Sequence, residues 1–172
     1  MEFSDVIKNR YSCKKFSSEQ IGKDKLDAIL EAGRVAPTAK NLQEQHIYVV
    51  QSESALETID KLTPCRYNAP TVLIVAFNKN NVFTYPGDKR NSGIEDATIV
   101  ATHLMLAAYN EGVDSCWINF FNPDELAKAF NLPEDEKILM LLDIGVADKT
   151  TTPLPNHNSR KVTSMQSTAL TW

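Results

Sequence analysis

The clearest helical pattern in the first third of the chain lies before a proline. Leu26, Ile29, Leu30 and Gly33 follow the i, i+3, i+4, i+7 spacing of a helix that turns one face to a core. Pro37 lacks the backbone N–H that a helix interior requires, so the helix is expected to end before it. The segment "APTAKN" that contains this proline is predicted to be a loop.

The longest helix is predicted over residues 94–110, and Gly112 fits the position that follows a helix end. One side of this helix carries mostly small residues, namely Ala97, Ala101, Leu104 and Ala108. Small side chains allow a second helix to approach closely. We therefore expect a central helix that is packed against a neighbour.

Two nearly continuous apolar runs predict strands that are covered on both faces. They are "TVLIVAF" (71–77) and "KILMLLDIGVA" (137–147). "HIYVV" (46–50) predicts a shorter strand, and residues 114–121 predict a strand or a turn. The polar segment 78–93 has the length of a loop that is functional or disordered.

Three shorter helices complete the prediction. The first begins with Ser4 as N-cap and ends near Arg10, the second covers residues 55–62, and Pro123 opens the third over 123–132. No repeat or low-complexity tract interrupts the chain, whose 172 residues fit one domain. We therefore predict a single domain over 1–172.

Composition and charge exclude several classes of function. Hydrophobic residues make up 42% and charged residues 23%, which is ordinary for a globular protein, and no apolar run approaches the roughly 20 residues of a membrane helix. The net charge of -4 and the pI near 5.4 argue against nucleic acid as the main partner. The chain starts without an apolar signal core, and Cys13, Cys65 and Cys116 are widely spaced. We expect reduced thiols, a cytoplasmic location, no membrane attachment and no metal site.

Two clusters of cations and hydroxyls lie at opposite ends of this acidic chain. "NRYSCKKF" (9–16) carries Arg10, Lys14 and Lys15, and "HNSRKVTS" places Arg160 and Lys161 beside a serine. Such clusters supply the charge-assisted bonds that a phosphate accepts. From the residues alone, a solvated surface is the commoner explanation. Lys15 is expected to point to solvent even where Lys14 does not, since neighbours on an extended chain face opposite ways.

Four segments in order together resemble the nitroreductase family of flavoproteins. They are "RYSCKKF", "APTAKNLQ", "GIEDATIVATHLMLAAYNEGVDSCWI" and "HNSRK", and they span nearly the whole chain. The resemblance implies an α+β fold with a mainly antiparallel sheet flanked by helices. It also implies an intertwined homodimer with FMN bound non-covalently at its interface. The tail, about 150–172, would then reach the partner subunit.

The resemblance also implies which residues hold the cofactor. The ribityl and phosphate groups correspond to Arg10, Tyr11, Ser12 and Lys14, together with Arg160 and Lys161 from the tail. One side of the isoalloxazine ring corresponds to Pro37, Thr38, Ala39 and Asn41, and the other to Trp117, Ile118 and Asn119. Lys14 is the candidate cation for the anionic reduced flavin, although it would serve the ribityl chain equally well.

The function implied is that of an FMN-dependent NAD(P)H oxidoreductase. Hydride would pass from NADH or NADPH to the flavin and on to a nitroaromatic, quinone or flavin acceptor in a ping-pong cycle. The flavin carries the chemistry, so no catalytic side chain is required. A flavin carrier or sensor with little turnover is the alternative, and a specialised dehalogenating or flavin-destroying branch is a third possibility.

Two departures from the family pattern bear on the substrate. The family usually continues Pro-Trp where this chain has Glu44-Gln45, and an acidic residue or Gly followed by a small residue where this chain has Asn119, Phe120 and Phe121. A phenylalanine here would either narrow the acceptor pocket or face the core, and we expect the core. Phe83 and Tyr85 in segment 78–93 would either cover the flavin as a lid or belong to a disordered loop.

Overall fold

The structure is a computed structural model that describes residues 1–87 and 89–162. Its centre is an antiparallel four-stranded sheet in the order β1-β2-β4-β3. The strands are β1 (Gln45–Val50), β2 (Thr71–Asn78), β3 (Asp114–Ile118) and β4 (Glu136–Gly145). The α+β fold with an antiparallel sheet is therefore confirmed.

Helices flank both faces of the sheet. They are α1 (Phe3–Asn9), α2 (Lys23–Arg34), α3 (Glu53–Leu62), α4 (Gly93–Asn110) and α5 (Pro123–Ala129). Residues of α2 and α4 pack on one face, and residues of α3 and α5 pack on the other. In the described part of the chain, no helix is both long enough and apolar enough to cross a bilayer.

The two central strands, β2 and β4, are covered on both faces, as the apolar runs predict. Leu73 and Val75 of β2 belong to the cluster that contains Leu104 of α4. Val72 and Ile74 of β2 belong to the cluster on the opposite face. Successive residues of a strand point to opposite faces, so a strand buried on both sides has no polar alternation.

Close packing of α2 on α4 explains the small residues of both helices. Gly33 is buried, and a Cβ atom added there would lie 2.7 Å from Cδ2 of Leu104. Ala97, Ala101 and Ala108 are fully buried on the same helix as Leu104, so the predicted stripe is confirmed.

Helix boundaries differ from the prediction by two or more residues in three places. The first helix has Glu2 rather than Ser4 at its N-cap, because the Glu2 carbonyl accepts the N–H groups of Asp5 and Val6. The helix predicted over 55–62 begins at Glu53. The helix predicted over 123–132 ends at Ala129, because residue 131 adopts a positive φ of 51°.

The N-terminal segment after α1 covers the outer edge of β3. Ser12 forms a parallel bridge with Ser115, and the Cys13 N–H donates to the Ser115 carbonyl at 2.9 Å. Phe16 forms an antiparallel bridge with Ala147, just beyond β4. These bonds hold the basic segment 9–16 beside β3.

Candidate functional site

Part of the predicted site forms a groove beside β3. The groove has a volume of about 370 Å³, which lies in the usual range for small-molecule sites. It is lined by Ser12, Lys14, Cys65, Tyr67, Cys116, Trp117, Ile118, Asn119, Phe120 and Leu154. The structure therefore brings together five predicted site residues from two distant segments of the sequence.

Alternation along the N-terminal segment directs Lys14 outward. Cys13 is fully buried, so its neighbours Ser12 and Lys14 lie on the accessible side. Lys15 lies on the surface as expected, but its Nζ is 2.8 Å from Thr150 Oγ1 and 3.3 Å from Asp148 Oδ1. Hydrogen bonds from Thr150 and Lys15 lower the pKa of Asp148 to about 2. The Lys15 charge is thus compensated.

The Lys14 charge has no such partner. Its Nζ lies 5.7 Å from the centre of the Tyr67 ring, a weak cation–π contact. Within residues 1–87 and 89–162, no carboxylate forms an ion pair with Lys14 or with Arg10. A cation that lines the same groove as the Ser12 hydroxyl is suited to an anionic group of a ligand.

The opposite wall of the groove is fixed by two hydrogen bonds. Trp117 Nε1 donates to Asn119 Oδ1 at 3.0 Å, and Thr63 Oγ1 donates to the Phe120 carbonyl at 2.7 Å. The core prediction is wrong for Phe120, whose side chain is 72% exposed, because the chain has left β3. Phe121 instead packs against the buried cluster of that face.

The second predicted group of residues lies in a separate, tightly bonded loop. In the segment that contains Pro37, Thr38, Ala39 and Asn41, three non-glycine residues have positive φ angles, at 40, 41 and 43. The Ala39 N–H donates to Asp96 Oδ1 at 3.0 Å, and the Gln43 N–H donates to Thr38 Oγ1 at 3.0 Å. Left-handed conformations of this kind persist only where surrounding bonds fix them.

A buried pair of carboxyl groups lies beneath this loop, and sequence reasoning missed it. Glu44 and Asp96 are each only 4% exposed. Burial first, and then the contact with the Asp96 carboxyl group, raise the pKa of Glu44 to about 7. The sequence indicated only that Glu44 departs from the family pattern.

Within one chain, the loop does not form part of the groove. Among the described residues, the loop's hydrogen bonds run to Asp96 of α4 and to Asn81, whose Nδ2 donates to the Leu42 carbonyl at 3.1 Å. Lys40 Nζ lies 4.8 Å from the centre of the Phe83 ring. The described part of segment 78–93 therefore packs on the loop, and Pro37, Thr38, Ala39 and Asn41 line no part of the groove.

The tail reaches the groove, but its cations do not line it. Leu154 forms part of the groove wall, and the His157 ring meets the Tyr11 ring edge-on at 6.4 Å. Arg160 Nη1 donates to the Ser159 carbonyl at 2.8 Å, and Arg160 and Lys161 are exposed. The end of the tail, 163–172, which the family resemblance assigns to the partner subunit, lies outside the described residues.

A buried carboxyl group also lies behind the groove. Asp143 of β4 is fully buried opposite Cys116 of β3, and neither of its oxygens has a hydrogen-bond partner in the described part of the chain. Burial raises the pKa of Asp143 to about 9. Burial and the nearby Asp143 raise the pKa of the Cys116 thiol to about 12. Cys116 is thus a buried protonated thiol, as its apolar neighbours indicate.

Comparisons with known proteins identify the family of this chain and agree with its fold. The family model "Nitroreductase family" matches residues 7–65 and 64–146. A nitroreductase family protein of Clostridium difficile 630 has a similar structure, with a TM-score of 0.92, 31% identity and full coverage of both chains. YodC of Bacillus subtilis, which carries the name of an NAD(P)H nitroreductase, is 28% identical over 92% of this chain and 93% of its own.

A second solved structure is similar in fold. It is an FMN-dependent nitroreductase of Clostridium difficile, with a TM-score of 0.76 and 24% identity over 92% of this chain and 98% of its own. At that identity the likeness concerns the fold.

Proposed function

The chain belongs to the nitroreductase family, and on this premise we propose that it is an FMN-dependent NAD(P)H oxidoreductase. The observation that carries the proposal is the groove beside β3. It combines an uncompensated cation, a hydroxyl and a wall with aromatic and aliphatic side chains, which are the groups that a phosphorylated, ring-bearing cofactor requires.

The residues present fit FMN. Lys14 and Ser12 would hold the ribityl and phosphate groups, with Arg10 and Tyr11 beside them on the same segment. Trp117, Ile118 and Asn119 would lie along the ring. Because Trp117 occupies the Asn119 oxygen, the Asn119 Nδ2 remains as a donor for a carbonyl of the ring's polar edge.

A homodimer would complete the site. The loop that contains Pro37, Thr38, Ala39 and Asn41 does not reach the groove of its own chain, so in the proposed dimer it faces the ring bound by the partner. Exposed apolar residues support this arrangement. Phe3 and Ile94 are 68% and 63% exposed, and Phe3 borders an apolar groove between α1, α2 and α4. In the proposed dimer, the tail with Arg160 and Lys161 continues toward the partner.

Bound FMN would supply the redox chemistry, accepting hydride from NADH or NADPH and passing electrons to a nitroaromatic, quinone or flavin acceptor. The chain's own residues bind and orient. Lys14 places positive charge beside the cofactor, and a cation next to a site where negative charge develops stabilises that charge. Phe120 stands exposed at the groove and would contact the acceptor.

The proposal is tested by comparing FMN with riboflavin, which lacks the phosphate. Lys14→Met removes the unpaired charge, whereas Lys15→Met removes a neighbouring charge that Asp148 compensates. A hydrogen bond to a charged group contributes roughly 1.5–3 kcal/mol, which corresponds to about a 10- to 150-fold change in affinity. We expect Lys14→Met to weaken FMN by that factor, to weaken riboflavin less, and to leave the fold intact by circular dichroism.

Equal affinities of the Lys14 and Lys15 variants for FMN would contradict the phosphate assignment. A flavin carrier or sensor is the second candidate, because the exposed Phe120 ring at the groove would restrict access of a nicotinamide. The two functions differ in turnover. Sustained NAD(P)H oxidation with an added nitroaromatic supports the reductase, and bound flavin without turnover supports the carrier.

A further inference from the structure

The carboxyl groups of Glu44 and Asp96 have buried oxygens without donors. Both Glu44 oxygens and Oδ2 of Asp96 are inaccessible to solvent, and within the described residues no hydrogen-bond donor reaches them. The remaining oxygen, Asp96 Oδ1, accepts the Ala39 N–H. Buried polar atoms are nearly always hydrogen-bonded, so three unpartnered oxygens in one place require an explanation.

A single proton between the two groups accounts for two of these oxygens, one from each carboxyl group. Two ionised carboxylates in a buried contact repel each other and lose their hydration, whereas a carboxyl group donates to a carboxylate. The raised pKa of Glu44 has these two causes, burial and the contact with Asp96.

Charged groups on the surrounding elements are engaged elsewhere. Lys40 of the loop contacts the Phe83 ring, and His46 of β1 contacts Glu136. In segment 79–92, Lys79 donates to the Glu134 carbonyl and Arg90 contacts the Tyr85 ring. Glu95 of α4 accepts a hydrogen bond from the Tyr85 hydroxyl. Asp96 is the charged side chain that acts on Glu44. No cation in this set replaces the proton.

We propose that Glu44 and Asp96 share one proton, and that this proton holds the loop of residues 37–43 in its bonded conformation. Asp96 carries the effect to the loop through its bond with the Ala39 N–H, and Glu44 is joined to the loop by the chain itself. Both are positioning residues, and their consequence for flavin binding rests on the proposed function. Glu44 stands where the family usually has proline, so this control belongs to this chain.

The shared proton determines how strongly the ratio of closed to open loop depends on pH. Opening the loop exposes Glu44 to water and returns its pKa from about 7 to the ordinary value of 4.5. The closed loop therefore binds a proton that the open loop releases, and the ratio of closed to open loop falls as pH rises. Between about pH 6 and pH 8 the fall is about tenfold by linkage.

Amide hydrogen exchange over residues 38–44 measures this ratio without a ligand. For the full chain without added FMN, we expect protection corrected for intrinsic exchange to fall about tenfold between about pH 6 and pH 8. Glu44→Gln places a permanent donor next to Asp96, so its protection should be the same at both pH values. Glu57→Gln removes an exposed carboxylate on α3 and should behave like the parent.

FMN affinity gives the second measurement. The parent should bind FMN up to about tenfold more weakly at pH 8 than at pH 6, whereas the affinity of Glu44→Gln should not show this additional change. Titration of FMN itself affects both proteins equally, so it cancels when the two are compared. A pH-dependent protection that persists in Glu44→Gln, or protection in the parent that does not change, would overturn the shared proton. If FMN fails to bind but the exchange result holds, the proposed function fails and the shared proton stands.

Discussion

Replacing Asp143 by asparagine should remove most of a pH dependence from the stability of this protein. Asp143 is fully buried between the paired residues Val72 and Cys116, and its oxygens have no partner in the described part of the chain. Burial raises its pKa to about 9, against the opposing effect of Arg66. Arg66 is committed to Asp60 and to a backbone carbonyl, so it compensates little of the Asp143 charge.

The magnitude follows from the protons bound in each state. Between the ordinary pKa of 3.8 and the folded value of about 9, the folded protein holds a proton that the unfolded chain has released. The free energy of unfolding therefore falls with rising pH by about 1.4 kcal/mol per pH unit, or roughly 3 kcal/mol from pH 6 to pH 8. The contribution of Asp143 is complete at acid pH and is lost toward pH 9.

Urea unfolding at pH 6, 7 and 8 measures the effect. An asparagine side chain keeps the shape of the neutral carboxyl group without its ionisation, so Asp143→Asn should match the parent only near pH 4, where the unfolded chain also holds the proton. The excess stability of Asp143→Asn over the parent should grow by roughly 3 kcal/mol between pH 6 and pH 8. Asp124→Asn is the matched control, because the Asp124 side chain is 90% exposed. Glu44 titrates equally in all three proteins and cancels. Parallel pH profiles for the parent and Asp143→Asn would refute the reasoning.

Two further predictions test packing and binding. Gly33→Ala should destabilise the fold by about 1–3 kcal/mol in urea unfolding, because its Cβ would meet Leu104, whereas Gly22→Ala has open space; equal stabilities would show that α2 and α4 adjust freely. Arg10→Ala combined with Arg160→Ala should fold but purify without flavin, and full FMN occupancy of this double variant would exclude both guanidinium groups from phosphate binding.

The sequence correctly predicted the strands that are buried on both faces and the helix that packs through small residues. β2 and β4 are covered on both faces, and their continuous apolar runs are typical of such strands. The small residues from Ala97 to Ala108 indicated the close contact of α4 with another helix. The first helix start was wrong at Ser4, since the Glu2 carbonyl accepts the first N–H groups. The start of a helix depends on which backbone carbonyl accepts the first helical N–H groups. Every residue has such a carbonyl, so the residue types near the start do not determine the boundary.

The site was predicted through family resemblance more than through physical pattern. Alternation along 12–14 explains why Lys14 faces the groove, but only the fold shows that β3 supplies the other wall. Phe120 was expected in the core because its residue type is apolar, whereas it lies beyond the end of β3 and is 72% exposed. Glu44 has a charged side chain, and nothing in its local sequence indicates that Asp96 shares its buried position.

The central claim is that this chain binds FMN and reduces it with a nicotinamide. The most direct measurement is an anaerobic visible spectrum of the purified protein reconstituted with FMN, before and after NADH or NADPH, and again after a nitroaromatic. The flavin spectrum should bleach with one of the nucleotides and return with the acceptor. Protein that retains no flavin after reconstitution, or bound flavin that stays oxidised with both nucleotides, would contradict it.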